Sequence, residues 1–224
     1  DKLNLLQDAI VQYEKYISKN REDPDVIMEM GNIYFKKENY TQALEYFSRL
    51  INENLSTEDR VELLAKIGII YNRLEMYAEA IKTFDQAERY TMVDNMKGLI
   101  LKEYGLANLR KFNFRLAQQK LEGALKYIKN DDVLYTYLSE LYTNIRDLEK
   151  GIISARNALK INRNNIAVYN LLGKIFQVKG DLRESIKNYL KVIEYNPDDD
   201  VIRGSIANMY LILKQPDEAI AHYD

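Results

Sequence analysis

Apolar residues recur at i, i+3 and i+4 along most of the chain, the spacing that lines one face of an α-helix. The opening stretch DKLNLLQDAIVQYEKY already reads as an amphipathic helix. The pattern then repeats. GNIYFKKENYTQALEYF, from Gly31 to Phe47, returns as GIIYNRLEMYAEAIKTF from Gly68 to Phe84. Weaker copies follow from Gly105, Ser139, Gly173 and Ala207, so successive starts differ by 37, 37, 34, 34 and 34 residues. Self-similarity at such a period marks a stack of supersecondary units. Links such as KKEN, RLEM and VKGD predict two antiparallel helices, A and B, in each unit. Asp23-Pro24 predicts a capped helix start, and Ser56 or Thr57 before Glu58 and Asp59 predicts another. Asn196-Pro197 should end a helix and Pro216 open the last one. The longer steps place their three extra residues around INENLSTEDRVELL and YTMVDNMKGLILKE, predicting helices about one turn longer there.

With the small residue that opens each segment numbered position 8, further positions fall into phase. Position 11 is Tyr34, Tyr71, Asn108, Tyr142, Phe176 and Tyr210. Position 20 is small throughout (Ala43, Ala80, Ala117, Gly151, Ser185, Ala219), and position 24 is Phe47, Phe84, Leu121, Ala155, Tyr189 and Tyr223. Running the pattern backward puts Leu6, Ala9 and Tyr13 on positions 17, 20 and 24 of an earlier half-repeat. In period and in these positions the chain resembles the tetratricopeptide repeat (TPR) family over essentially its whole length. The resemblance implies an all-α, right-handed superhelical solenoid of antiparallel helix pairs. It implies one array over 1–224, with a half-repeat at 1–23 and repeats starting near 24, 61, 98, 132, 166 and 200, the last truncated. Small residues at 8 and 20 would let two helices approach closely, and large residues at 11 and 24 would fill the flanking space. Neither helix can bury its apolar stripe alone, so each repeat leans on its neighbours.

The resemblance also implies a site. In the family, helix-A positions 2, 5, 6, 9, 12 and 13 face a concave groove that grips an extended peptide or a helix. The partner-binding candidates on that face are Met28, Asn32, Ile69, Lys102, Leu106, Thr136, Tyr137, Glu140, Asn170, Lys174 and Asn208. Members that hold chaperone tails carry a Lys-x-x-x-Asn, Asn, Lys-x-x-x-Arg set. Met28-x-x-x-Asn32, Lys102-x-x-x-Leu106 and Asn170-x-x-x-Lys174 each miss part of it, which argues against a dicarboxylate clamp. Position 6 (Glu29, Lys66, Glu103, Tyr137, Leu171, Ser205) does not form the asparagine ladder of sugar-transferase arrays. The groove is mixed, with polar donors, an apolar floor at Met28, Ile69 and Leu106, and an aromatic at Tyr137.

Composition removes most alternatives. The 224 residues include no cysteine and one histidine, His222, so no disulfide framework, thiolate site, His-Glu-x-x-His metal site or Ser-His-Asp triad can be assembled. The acidic runs Asp131-Asp132 and Asp198-Asp199-Asp200 stand at predicted helix starts, where capping accounts for them. GLILKEYG, from Gly98 to Gly105, reads as helix rather than a phosphate loop. The expectation is therefore a non-enzymatic protein without cofactor or metal. Sixteen of the 18 tyrosines fall on positions 4, 7, 11, 17, 24, 27 or 30, where packing residues are expected; Tyr46 and Tyr137 are the exceptions.

A net charge of −2 gives no electrostatic reason to expect nucleic acid. No stretch reaches the roughly 18 apolar residues of a membrane span. Charge is nevertheless uneven: 1–100 carries 13 basic and 18 acidic residues, 101–190 carries 16 and 9, and 191–224 carries 3 and 7. The basic middle, with Lys102, Arg110, Lys174 and Arg183, could steer an acidic partner; ordinary solvated helix faces are the alternative. The chain opens on Asp1 and stops at AIAHYD, so both ends read as cut from a longer sequence. Compartment stays open, the cysteine-free composition being compatible with the cytoplasm. The expected function is a protein-interaction scaffold that binds a peptide or helix of a partner in its groove. The competing expectation is a structural or regulatory arm of a larger protein, self-assembling through uncapped ends.

Overall fold

The computed structural model describes residues 10–13, 15–16, 23–90 and 94–222, leaving aside the side chain of Asn95. Twelve bounded helices carry the repeats among these residues: α1 (Pro24–Lys36), α2 (Tyr40–Arg49), α3 (Thr57–Arg73), α4 (Tyr77–Ala87), α5 (Asp94–Arg110), α6 (Phe114–Ala124), α7 (Asp132–Asn144), α8 (Leu148–Ile161), α9 (Ile166–Lys179), α10 (Leu182–Tyr195), α11 (Asp200–Ile212) and α12 (Pro216–Ile220). Odd-numbered helices are the A helices and even-numbered ones the B helices, and each A packs against its own B as an antiparallel pair. Among the described residues the architecture is all-helical, as expected of a TPR-like array. The chain divides into two compact units, one ending at Tyr127 with α1–α6 and one starting at Ile128 with α7–α12. Most of the half-repeat read at 1–23, and Tyr223, lie outside the described residues.

The capping signals act as the sequence predicts. The Asp23 carboxylate accepts from the Asp25 amide at 3.0 Å with Pro24 in the first turn, and Ser56 Oγ, not Thr57, caps α3 by accepting from the Asp59 amide. Asp131, Asp181 and Asp199 cap α7, α10 and α11 in the same way. The extra turn is present in the A helices: α3 and α5 run 17 residues, against 13 or 14 for α1, α7, α9 and α11.

Each A–B turn is built alike. The amide at position 16 donates to the carbonyl at position 11 in all six repeats, from Asn39 to Tyr34 at 3.0 Å through Gln215 to Tyr210 at 2.9 Å. That bond closes a Schellman motif, which needs a left-handed residue just before its donor. Position 15 supplies it: Glu38, Glu75, Phe112, Arg146, Gly180 and Lys214 all have φ between 58° and 80°. Only one is glycine.

Position 8 governs how close A and B come. A Cβ placed on Gly68 would lie 2.5 Å from the Phe84 ring, and the same clash recurs between Gly31 and Phe47 and between Gly173 and Tyr189. The ring at position 24 therefore rests on the bare backbone at position 8. In the fourth repeat both residues change together, to Ser139 and Ala155. Ser139 Oγ donates to the Gly151 carbonyl at 2.9 Å; in the fifth repeat the bond reverses, Ser185 Oγ donating to the Gly173 carbonyl at 2.7 Å. Each core cluster then joins a B helix to the A helix that follows. Phe84 and Ala87 of α4 meet Ile100, Tyr104 and Ala107 of α5, and Ile186 and Tyr189 of α10 meet Ile202 and Ile206 of α11.

Two tyrosine readings change. Position 30 packs unevenly: Tyr195 is 58% exposed and Tyr90 37%, because Tyr90 lies beyond the end of α4 and Tyr195 is the last residue of α10, whereas Tyr127 is half-buried with Lys97 over its ring. Tyr46, unexplained by the repeat, stacks on Tyr34 with ring centroids 5.5 Å apart and has the Arg49 guanidinium 4.9 Å from its ring centroid. It belongs to packing.

Candidate partner-binding face

In the first unit the candidate residues lie on α1, α3 and α5. Met28 is half-buried against the cluster around Phe47, and Ile69 against the cluster around Phe84. Asn32 is engaged across repeats, because its Oδ1 accepts from Lys66 Nζ of α3 at 2.5 Å. The same ammonium reaches Glu62, so Asn32 is already held in a small polar network. Lys102 is half-buried, while Leu106 is buried to 5% and offers a partner almost no surface.

The burial of Leu106 belongs to a wider feature. From Glu103 to Leu109 every residue of α5 is buried, so this helix lacks the solvated face of its counterparts. Glu103 at position 6 is the polar cost of that arrangement. Its backbone carbonyl accepts from Asn72 Nδ2 at 2.8 Å, and its carboxylate accepts from the same nitrogen at 3.1 Å. Arg73 lies 3.6 Å from the carboxylate. A buried carboxylate needs such compensation, and the end of α3 provides it. Position 11 of this repeat is Asn108 rather than an aromatic; fully buried, it donates to the Tyr104 carbonyl and accepts from Asn113 Nδ2. Neither network was legible beforehand, because nothing in a single carboxylate or amide at a helical position says what faces it.

Tyr104 adds a further polar contact inside the first unit. Its hydroxyl donates to Asp85 of α4, its ring stacks 5.8 Å from Phe84, and Lys120 Nζ lies 4.6 Å from its centroid while pairing with Glu88. Burial, and then the Asp85 carboxylate, push the phenol far above the usual range of a tyrosine.

In the second unit the face is more open. Thr136, Tyr137 and Glu140 of α7 are half-buried, Asn170 of α9 is half-buried, and Lys174 of α9 and Asn208 of α11 are exposed. Thr136 Oγ1 donates to the Asp132 carbonyl and accepts from Asn165 Nδ2 at 3.2 Å, which ties the α9 cap to α7. Asn170 Oδ1 is buried with no hydrogen-bond partner among the described residues. Residues 136 and 140, and residues 170 and 174, share a helix face at i, i+4. The structure thus brings Asn32 together with Lys66 and Thr136 with the α9 cap. His222, the one imidazole, stacks on Tyr210 at 5.8 Å; burial and the nearby Arg203 lower its pKa. Among the described residues no three His, Asp or Glu side chains group as metal ligands, and no helix is long and apolar enough to cross a membrane.

Helix pairs closed by a position-24 ring on a position-8 backbone define a repeat type, and family models for the tetratricopeptide repeat match residues 28–91 and 166–199. The chain belongs to the tetratricopeptide repeat family. As a TPR protein it is similar to BBSome complex member BBS4 of Bos taurus, 31% identical over 99 residues, which is 44% of this chain and 19% of that protein. It is 23% identical to tetratricopeptide repeat protein 21B of Homo sapiens over 97% of this chain and 16% of that protein. The chain spans less than a fifth of the length of these relatives. Among solved structures it superposes on the APC/C hetero-tetramer Cut9-Hcn1 with a TM-score of 0.74 at 18% identity, covering 97% of this chain and 42% of the matched one. It also superposes on YrrB, described as a TPR protein with an unusual peptide-binding site, with a TM-score of 0.65 at 19% identity over 85% and 95% of the two chains.

Proposed function

We propose that this TPR array is a protein–protein interaction scaffold whose helix-A face holds an extended peptide or a helix of a partner protein. The observation that carries the reading is the division of labour on α7 and α9. Leu134, Leu138, Ser139, Val168, Leu172 and Gly173 are buried, while Tyr137, Glu140, Asn170 and Lys174 keep surface. An aromatic with a polar rim is the composition of an interface centre. A pre-folded helical array gives up little entropy on binding, so an ordinary peptide segment can be held. BBS4 is named as a BBSome complex member, which agrees with a scaffolding role here.

Two finer features belong to the same reading. The excess of cations over residues 101–190 favours an acidic partner segment. Self-association is the second reading, favoured by Val201 at 78% and Ile212 at 67% exposure on α11. Affinity capture on the chain, repeated with Tyr137→Ala and Lys174→Glu, tests the helix-A face. Partners should drop several-fold with either variant while the melting temperature holds. Equal recovery on both variants means the face is the wrong site, and capture of the chain by itself alone favours the second reading.

A further inference from the structure

The A–B turn of the third repeat departs from its five counterparts in two ways at once. Its left-handed position holds Phe112, with φ 59°, where the other repeats place Glu38, Glu75, Arg146, Gly180 or Lys214. A left-handed conformation costs an L-residue about 1–2 kcal/mol, and charged heads at least reach water from there. Phe112 instead leaves its ring 74% exposed, braced edge-on by Phe114 at 6.0 Å. Neither the backbone nor the solvent gains from a phenyl ring at this place, so its effect on the fold does not account for it.

Charge is the second departure. Each of the other turns has a carboxylate at or within three residues of position 15, namely Glu38, Glu75, Asp147, Asp181 and Asp217. Residues 104–121 contain four cations, Arg110, Lys111, Arg115 and Lys120, and no acid. Lys120 is paired with Glu88, whereas Lys111 and Arg115, on either side of Phe112, are exposed. A shallow concavity of about 470 Å³ opens on the same stretch, lined by Asn113, Phe114, Arg115, Leu116 and Gln119, with Phe114 between it and the Phe112 ring.

We infer that the α5–α6 turn is a docking surface for an acidic peptide segment, with an apolar side chain set against Phe112 and the concavity and flanking carboxylates held by Lys111 and Arg115. This surface is independent of the helix-A face, since position 15 lies in the turn. Charge complementarity selects the occupant. Two exposed cations suit a pair of carboxylates, while useful affinity for nucleic acid rests on many phosphate contacts. An aromatic anchor ringed by charge gives both affinity and register to a short segment.

The test uses the whole chain as bait for a random-peptide phage library, with counter-selection on Phe112→Asn. Asparagine tolerates the left-handed backbone, so that variant removes the ring without adding strain. Surviving peptides should carry Leu or Phe between Asp or Glu. Their synthetic versions should lose at least about tenfold in affinity to Phe112→Asn and to the Lys111→Glu/Arg115→Glu pair. Binding should weaken as salt rises. Ile153→Ser, which removes a comparably exposed apolar residue of α8, should bind as the wild type, and thermal melting of Phe112→Asn should be unchanged. No survivors, survivors without acidic residues, or equal affinity for the charge-reversed pair would each overturn the inference. So would self-association of the chain that Phe112→Asn abolishes, or displacement of the peptides by a single-stranded oligonucleotide.

Discussion

At the scale of single residues, the contact between positions 8 and 24 sets the distance between paired helices, and the glycines test it with opposite signs. Gly68 and Gly204 both lie inside helices, where replacement by alanine gains up to about 1 kcal/mol of helix propensity. A Cβ on Gly204 meets nothing within 4 Å, so Gly204→Ala should stabilise by about that amount. A Cβ on Gly68 would stand 2.5 Å from the fully buried Phe84 ring, and overpacking of this kind costs about 1–3 kcal/mol. Gly68→Ala should therefore be net destabilising by about 1–2 kcal/mol, and its penalty should shrink in a Phe84→Ala background, as the Ser139/Ala155 pairing implies. Urea unfolding of the wild type, the three single variants and the Gly68→Ala/Phe84→Ala pair decides it; a Gly68→Ala variant as stable as Gly204→Ala would sink the close-contact account. The alternation of small and large residues was legible in the sequence. The reversal of the serine bond between Ser139 and Ser185 was not, because either position can carry the hydroxyl and only the backbone opposite gives it a use.

Among elements, the unit to explain is the A–B turn together with the join from one B helix to the next A helix. Short links and capping residues announced where helices begin and end. The left-handed residue at position 15 stayed hidden, since five of six turns fill it with Glu, Phe, Arg or Lys, and glycine marks only Gly180. The join has a titratable reporter in Tyr104, which ties α5 to Asp85 of α4. Its folded-state pKa is raised, so the phenol stabilises fully below the unfolded value near 10 and loses that contribution as pH climbs above it. Tyr104→Phe should cost about 1 kcal/mol at neutral pH, a small loss because Asp85 remains solvated. It should also flatten the fall in stability between neutral and strongly alkaline pH. Chemical denaturation as a function of pH reads both effects, and parallel curves for the two proteins would show that the hydroxyl is not the coupled group.

For the whole molecule, the repeat period made the fold class legible, while the candidate face was legible only as a set of positions. Which of those positions keep surface depends on neighbours: Leu106 and Tyr137 occupy comparable places in the pattern, yet α5 is buried on all sides from Glu103 to Leu109 where α7 is not. Phe112 escaped for the opposite reason, since an aromatic between Lys111 and Asn113 does not announce an exposed ring until its turn is seen. The same nearest-neighbour logic predicts how damage spreads. The core clusters around Phe84 and Tyr189 reach no further than the neighbouring repeat, so stability is a sum of repeat and interface contributions rather than one global cooperative quantity. Gly68→Ala strains the α3–α4 pair, and the strained Phe84 ring also contacts Tyr104 of α5. Native-state hydrogen exchange of that variant should accelerate in α3, α4 and α5 and leave the protection of α9 and α10 at the wild-type level. Uniform acceleration in every helix would mean that the array opens as a single body, and the repeat-by-repeat account of its stability would fail.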